Sequence, residues 1–189
     1  MNRLFAAALE VQQFLEHRRW QFALIGGLAV LRWGEALATQ DVDISLLTGF
    51  GREEQYVDEV LRQFSGRIPA ARGFALQHRV VLIAASNGVP VDIALAGIPF
   101  EERLIARASY FAFLPEVSLR TCSAEDLLVL KAFAGRDKDW AALGGVIARQ
   151  RGSLDWAYVE RQLAPLCEAK GEPELLQRLA ALRQQIERG

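Results

Sequence analysis

The pattern of hydrophobic and polar positions divides the chain into a first part that mixes helices with strands and a second part that is helical. In the first part, apolar residues at helical spacing predict helices over residues 3–18, 28–32, 53–64 and 99–107. Short apolar runs predict strands over residues 20–25, 41–47, 76–84, 89–95 and 117–121. Asn87-Gly88 separates two of these runs and favours an antiparallel hairpin.

The second part begins with a helix start signal. Ser123 is followed by Asp126 three residues later, and such a pair is typical of a capping box at a helix N-terminus. Gly135 ends that helix, and helical spacing then covers residues 138–149, 154–167 and 173–187. The pattern therefore predicts an α/β part over residues 1–121 and a helical C-terminal part over residues 122–189.

Composition narrows the classes of function. The 189 residues carry a formal net charge of −1, so the overall balance does not indicate nucleic-acid binding, although a local basic face could still bind RNA. Two cysteines without paired spacing and only two histidines argue against a disulfide framework and a zinc site. Because no apolar run approaches the ~20 residues of a membrane span, we expect a cytoplasmic protein.

The most informative pattern is Gly26-Gly27, a thirteen-residue spacer and Asp41-Val42-Asp43-Ile44. Alternate residues of a strand point to the same face, so Asp41 and Asp43 present two carboxylates side by side. Hard oxygen ligands of this kind suit Mg²⁺ (or Mn²⁺) together with substrate phosphates. Glycines before the spacer leave room for a phosphate to approach the backbone.

A third carboxylate, Asp92, lies between Val91 and Ile93 in the second strand of the predicted hairpin. Three carboxylates on neighbouring strands can bind a divalent metal and accept a proton from an attacking hydroxyl. In the alternative interpretation, Asp41 and Asp43 only line a solvated strand face. Since acidic residues are depleted in strands, we favour a metal site formed by Asp41, Asp43 and Asp92.

These spaced elements resemble the signature of the polymerase-beta-like nucleotidyltransferase superfamily. Within it, the chain most resembles the minimal nucleotidyltransferases of the abortive-infection toxin type, over residues 20–145. The resemblance implies an α/β (α+β) fold, with a short mixed sheet flanked by helices and followed by a helical part. It also implies transfer of a nucleoside monophosphate from an NTP to an acceptor, which in toxins of this type can be the 3′ end of a tRNA.

The resemblance extends to a helix with Lys131 and to the following Arg136 and Asp139. Lys131 could donate to a triphosphate as a point charge, with Arg136 beside it and Asp139 holding one of them in place. In the alternative interpretation, Lys131 lies on the solvent face of an amphipathic helix, and Asp139 is an acidic residue that favours a helix N-terminus.

The chain departs from related sequences at Leu37, where an Arg is common, and at Ala142, where an acid is common. Three functions stay open on the sequence alone. The first is transfer to RNA, tRNA or a protein, with a cognate antitoxin as a possible partner. The second is transfer to a small molecule, as in antibiotic nucleotidyltransferases. The third is a nucleotide-binding or regulatory module without catalysis.

Overall fold

The computed structural model describes residues 2–35 and 38–188, so the departure at Leu37 lies outside the described residues. Contacts within the chain define two compact units, Met1–Leu28 with Ala38–Cys122 and Ala29–Leu37 with Ser123–Gly189. The predicted domain boundary between residues 121 and 122 stays a prediction, because contacts alone do not test whether either part folds independently. No helix of the described residues is both long and apolar enough to cross a membrane.

The first unit contains the sheet. Its described strands are β1 (Phe22–Leu24), β2 (Val42–Leu47), β3 (Ser65–Gly66), β4 (Val80–Ala84), β5 (Pro90–Ala96), β6 (Ser109–Leu114) and β7 (Val117–Thr121). Its helices are α1 (Arg3–His17), the start of α2 (Gly26–Trp33), α3 (Glu53–Gln63), α4 (Ala71–His78) and α5 (Pro99–Arg107).

The strands form one mixed sheet in the order β3-β4-β5-β2-β1-β7-β6. The pairs β2–β5 and β1–β7 are parallel, and the other neighbours are antiparallel. Val42 and Ile44 of β2 are fully buried, as are Val91 and Ile93 of β5, because these side chains point into the core on one face of the pleat. The mixed α/β fold predicted from the sequence is confirmed.

The strand predicted over residues 76–84 is wrong in its first part. Helix α4 extends to His78, and β4 begins at Val80. Arg79 separates them in a left-handed conformation with φ of 55°, and its guanidinium donates to the Leu95 carbonyl at 2.6 Å. This tertiary contact stabilises the change from helix α4 to strand β4 at Arg79. The local apolar pattern of the sequence does not reveal that change.

The sequence pattern also missed α4 itself and the two edge strands β3 and β6. Each edge strand pairs on one side, β3 with β4 and β6 with β7. Strand β3 has two residues, which is too short for any alternation to be visible. Strand β3 is recognised only through its pairing with β4. The residue that follows β3 belongs to the site described below.

The second unit is helical. It contains the remainder of α2 and the helices α6 (Ala124–Ala134), α7 (Asp137–Arg149), α8 (Trp156–Lys170) and α9 (Glu174–Arg188). The Ser123 hydroxyl accepts a hydrogen bond from the Asp126 amide at 3.1 Å, as a helix N-cap does. The buried Asp126 carboxylate accepts hydrogen bonds from Ser123 and from the Tyr158 hydroxyl, both at 2.6 Å. Gly135 ends α6 at φ of 70°, so the predicted start and end of this helix are confirmed.

Candidate functional site

Two of the three predicted metal ligands are register partners on neighbouring strands. Asp43 of β2 lies directly opposite Asp92 of β5 in the parallel pair, so both side chains leave the same face of the sheet. Both are partly exposed, whereas their strand neighbours Val42 and Ile44 are buried. The fold therefore brings two carboxylates together on the more exposed face, which is costly unless a cation neutralises them.

The sequence pattern predicts Asp41 as the first residue of the strand, but β2 begins one residue later at Val42, and Asp41 is exposed. The Thr39 hydroxyl donates a hydrogen bond to Asp41 Oδ1 at 3.0 Å. The same threonine packs against the second glycine of the motif, since a Cβ placed on Gly27 would lie 2.3 Å from Thr39 Oγ1. Thr39 thus joins the glycine pair to the first carboxylate.

Gly26 lies against the second carboxylate, that of Asp43. It has φ of 58°, a left-handed conformation that side chains rarely adopt. A Cβ placed there would lie 1.9 Å from Asp43 Oδ2. The backbone amide of Ile25 also donates to the Asp43 carbonyl at 2.9 Å. Gly26 is therefore required both for the turn into α2 and for the position of Asp43.

An arginine that sequence reasoning missed contacts the third carboxylate. The Arg67 guanidinium donates to Asp92 Oδ1 and forms an ion pair with it. Arg67 follows the two-residue strand β3, and its amide donates to the Leu82 carbonyl at 2.9 Å. Leu82 in turn is the register partner of Asp92. The pairing of β3 with β4 therefore places Arg67 level with Asp92 across the sheet. No local signal identifies this residue, because its position depends on an edge pairing.

Burial raises the pKa of Asp92 above its ordinary value of 3.8. The Arg67 charge opposes this rise, and the neighbouring Asp41 carboxylate adds to it. A carboxylate with a raised pKa is a better proton acceptor than an ordinary one. The direction suits the predicted role of Asp92 as a base.

The residues fit a hard divalent cation in chemistry, because Asp41, Asp43 and Asp92 supply oxygen ligands alone. As the side chains lie in this structure, however, no three acidic, histidine or cysteine side chains of residues 2–35 and 38–188 are arranged to hold a metal ion. The backbone already places Asp43 opposite Asp92, whereas Arg67 occupies Asp92 Oδ1. Binding of a metal by all three carboxylates thus needs side-chain movement rather than a change of fold.

A second charged cluster lies in the helical unit. Asp139, with a side chain only 1% exposed, accepts hydrogen bonds from Lys131 Nζ at 2.8 Å and from Arg136 Nε at 2.5 Å. Lys131 is 14% exposed and Arg136 is 61% exposed. Asp139 therefore holds both cations, and their role toward a triphosphate stays a prediction. Each of the two clusters is defined within its own unit.

Burial of Asp139 by itself opposes ionisation, but the hydrogen bonds from Arg136 and Lys131 outweigh it and hold the pKa of this carboxyl below its ordinary value. The ionised form of Asp139 is therefore the stable one. Ala142, the other departure from related sequences, is buried in α7, where an acid would need a partner of its own.

Comparison with known proteins places this arrangement in a family. Residues 4–181 match the family described as "Nucleotidyl transferase of unknown function (DUF2204)". The chain belongs to this family. It is accordingly an enzyme of the nucleotidyltransferase class, whereas membership of the abortive-infection toxin type is not shown. No curated protein matches the chain.

Three solved structures are similar to this chain, and the first of them shows a shared fold. An antigenic nucleotidyltransferase-like protein from Paracoccidioides brasiliensis is 13% identical, with a TM-score of 0.52 over 92% of this chain and 91% of that chain. The antibiotic-resistance factor ANT(2″)-Ia is 14% identical in its solution structure, with a TM-score of 0.47 over 96% of this chain and 91% of that chain. Its complex with adenylyl-2″-tobramycin is 15% identical, with a TM-score of 0.47 over 96% and 97%.

Proposed function

We propose that this nucleotidyltransferase moves a nucleoside monophosphate from an NTP to an acceptor hydroxyl with the help of Mg²⁺ or Mn²⁺. The bond between the α- and β-phosphates breaks, and pyrophosphate is released. The observation that carries the proposal is the pairing of Asp43 with Asp92 across two parallel strands, with the Asp41 carboxylate near enough to Asp92 to raise its pKa. Such a concentration of negative charge favours a cation. A bound divalent ion would neutralise the triphosphate and polarise the phosphate under attack.

The residues of the first unit have separate tasks in this proposal. Asp41 and Asp43 hold the metal, and Asp92 completes the site and takes the proton of the acceptor hydroxyl. Gly26 and Gly27 allow the phosphates to approach the backbone at the start of α2. Thr39 keeps Asp41 oriented through its hydrogen bond.

Lys131 and Arg136 steady the triphosphate in this proposal, and Asp139 positions both of them. The support for Asp139 is the pair of hydrogen bonds that it accepts. The support for triphosphate binding is the resemblance of these three residues to the minimal nucleotidyltransferases. A lysine serves as a compact point charge toward phosphate oxygens.

For the acceptor, we propose a hydroxyl on a macromolecule, either the 3′ end of an RNA such as tRNA or a protein side chain. Support for this acceptor, for an NTP as the donor, for a toxin role with a cognate antitoxin and for a cytoplasmic location comes from the sequence analysis. Among the NTPs we propose ATP, which the labelling test below distinguishes from the others. An antitoxin gene beside this one would support the toxin role directly.

The test is transfer of label. The purified protein is incubated with Mg²⁺, each NTP labelled at its α-phosphate, and one of three acceptors: total RNA, a protein extract or an aminoglycoside. We expect label in RNA or protein with the parent, and none with Asp43→Asn. Label on an aminoglycoside alone would overturn the macromolecular acceptor, and equal labelling by Asp43→Asn would overturn the proposed site.

A further inference from the structure

Arg67 contacts the carboxylate cluster, and neither the sequence motif nor the family description assigns it a role. Its guanidinium pairs with Asp92 Oδ1. The partners are 30% and 36% exposed, so both remain accessible to solvent and the pair can separate. The contact therefore differs from a buried structural ion pair.

The backbone around Arg67 holds it near Asp92 whatever its side chain does. The Arg67 amide is fixed to the Leu82 carbonyl, and Leu82 lies directly opposite Asp92 in the sheet. The long arginine side chain can reorient without disturbing β3, β4 or β5, because its own pairing with the sheet is through the main chain. Arg67 is thus tethered to the site but not locked on Asp92.

The position of the guanidinium conflicts with metal binding by the complete triad. Asp43 and Asp92 are already register partners, yet no three acidic, histidine or cysteine side chains converge for a metal within the described part of the chain. The cation found on Asp92 is Arg67. A guanidinium and a divalent cation beside the same oxygen repel each other and compete for its lone pairs.

We propose that Arg67 is a displaceable counter-charge: it neutralises Asp92 until a divalent metal replaces it, so that metal binding and release of the Arg67 pair are one coupled event. Arg67 in this role is a positioning residue that acts through Asp92. The inference rests on the proposed function, because it assumes that Asp92 belongs to the metal site.

The experiment measures Mn²⁺ binding alone, without nucleotide, from the paramagnetic resonance signal of free Mn²⁺. Removal of the competing charge in Arg67→Gln should tighten Mn²⁺ binding roughly threefold to tenfold, and Arg67→Lys should lie between that variant and the parent. The matched control is Arg72→Gln, because Arg72 pairs with Asp58 at 2.6 Å and with Glu54 at 3.1 Å, outside the site. This control should bind Mn²⁺ like the parent.

Added salt gives a second readout that a purely structural role would not change. Screening weakens the exposed Arg67–Asp92 pair, so the difference in Mn²⁺ affinity between parent and Arg67→Gln should shrink as NaCl rises. Thermal unfolding of each variant verifies that it is folded. If Arg67→Gln does not fold, the Mn²⁺ affinity of Arg67→Lys tests the inference in its place. Unchanged or weaker Mn²⁺ binding in the folded Arg67 variants would overturn this inference alone. No Mn²⁺ binding in any variant or in the parent would overturn the proposed function with it.

Discussion

Asp92 and Asp139 are both aspartates paired with arginine, yet their surroundings shift them in opposite directions. Asp92 is 36% exposed, lies near a second carboxylate and has a raised pKa. Asp139 is 1% exposed, accepts hydrogen bonds from two cations and has a lowered pKa. Burial is the main cause of the raised pKa of Asp92, with Arg67 opposing the rise and Asp41 adding to it. At Asp139 the hydrogen bonds from Arg136 and Lys131 outweigh burial and lower the pKa. The comparison indicates that Asp92 is open to a further cation, whereas Asp139 is already satisfied.

The comparison is tested most strongly by Asp92→Asn, which keeps the size of the side chain and removes its basicity. Turnover should fall about 10²–10⁴-fold, the usual contribution of a proton-transfer group, while NTP affinity falls modestly. The free energy of unfolding should change by less than about 1 kcal/mol, because the Arg67 pair is half-exposed. Single-turnover transfer and calorimetric NTP binding measure the two effects separately, and equal turnover in variant and parent would remove Asp92 from the chemistry.

Asp139→Asn should lower stability clearly, whereas Asp92→Asn should lower turnover and leave stability almost unchanged. Loss of this carboxylate leaves the largely buried Lys131 without its partner and should lower the free energy of unfolding by about 3 kcal/mol. Asp137→Asn is the control, because Asp137 is exposed in the same helical turn and should change stability by no more than about 0.5 kcal/mol. Urea unfolding at neutral pH measures both variants, and equal stabilities would contradict the structural role of Asp139.

The same variant has a pH signature. Because the folded-state pKa of Asp139 lies below its ordinary value of 3.8, its contribution to stability is complete above that value. The contribution is lost as the pH falls through the lower folded-state pKa. The stability difference between parent and Asp139→Asn should therefore narrow in strong acid and stay constant from pH 5 upward.

Gly26→Ala tests whether the backbone at Gly26 sets the position of the Asp43 carboxylate. The added methyl group must displace the Asp43 carboxylate, because Oδ2 lies only 1.9 Å from the ideal Cβ position. The alanine must also adopt the φ of 58° found at Gly26. We expect a loss of transfer activity of more than about tenfold and a loss of stability of roughly 1–2 kcal/mol. Gly73→Ala in α4 is the control, since nothing lies within 4 Å of its Cβ position, and it should be neutral or slightly stabilising. Activity at the parent level in Gly26→Ala would contradict the tight fit against Asp43.

Lys131→Ala should have the smallest effect. Asp139 keeps its hydrogen bonds from Arg136, so the cluster survives while one cation is lost. Triphosphate affinity should fall several-fold and nucleoside affinity should not change, with partial rescue by Lys131→Arg because a planar fork differs from a compact ammonium. The exposed Lys138 provides the control variant Lys138→Ala. If Lys131→Ala binds and turns over NTP like the parent, Lys131 serves the helix alone.

The sequence predicted the parts of the fold and site that depend on local pattern. Asp43 and Asp92 each lie in a strand with apolar neighbours, and the pleat then sets which face they occupy. Asp41 proved to lie one residue outside its strand, where Thr39 orients it. Arg67 and the break at Arg79 could not be predicted, because both depend on contacts between residues far apart in the chain. The contacts of Asp139 with Lys131 and Arg136 are close in sequence and are expected from the family resemblance. The burial of Asp139 and the direction of its pKa shift depend on the tertiary packing and could not be predicted.

The central claim is that Asp43 belongs to a metal site rather than to the framework of the sheet. Calorimetric titration of an NTP into the parent and into Asp43→Ala, with and without Mg²⁺, tests this claim most directly when it is combined with thermal unfolding of both proteins. We expect Mg²⁺-dependent binding in the parent and none in Asp43→Ala. Without metal, the variant should be as stable as the parent or slightly more so, since removal of one of several like charges relieves repulsion. A clear loss of stability with unchanged NTP binding would make Asp43 structural and contradict the account.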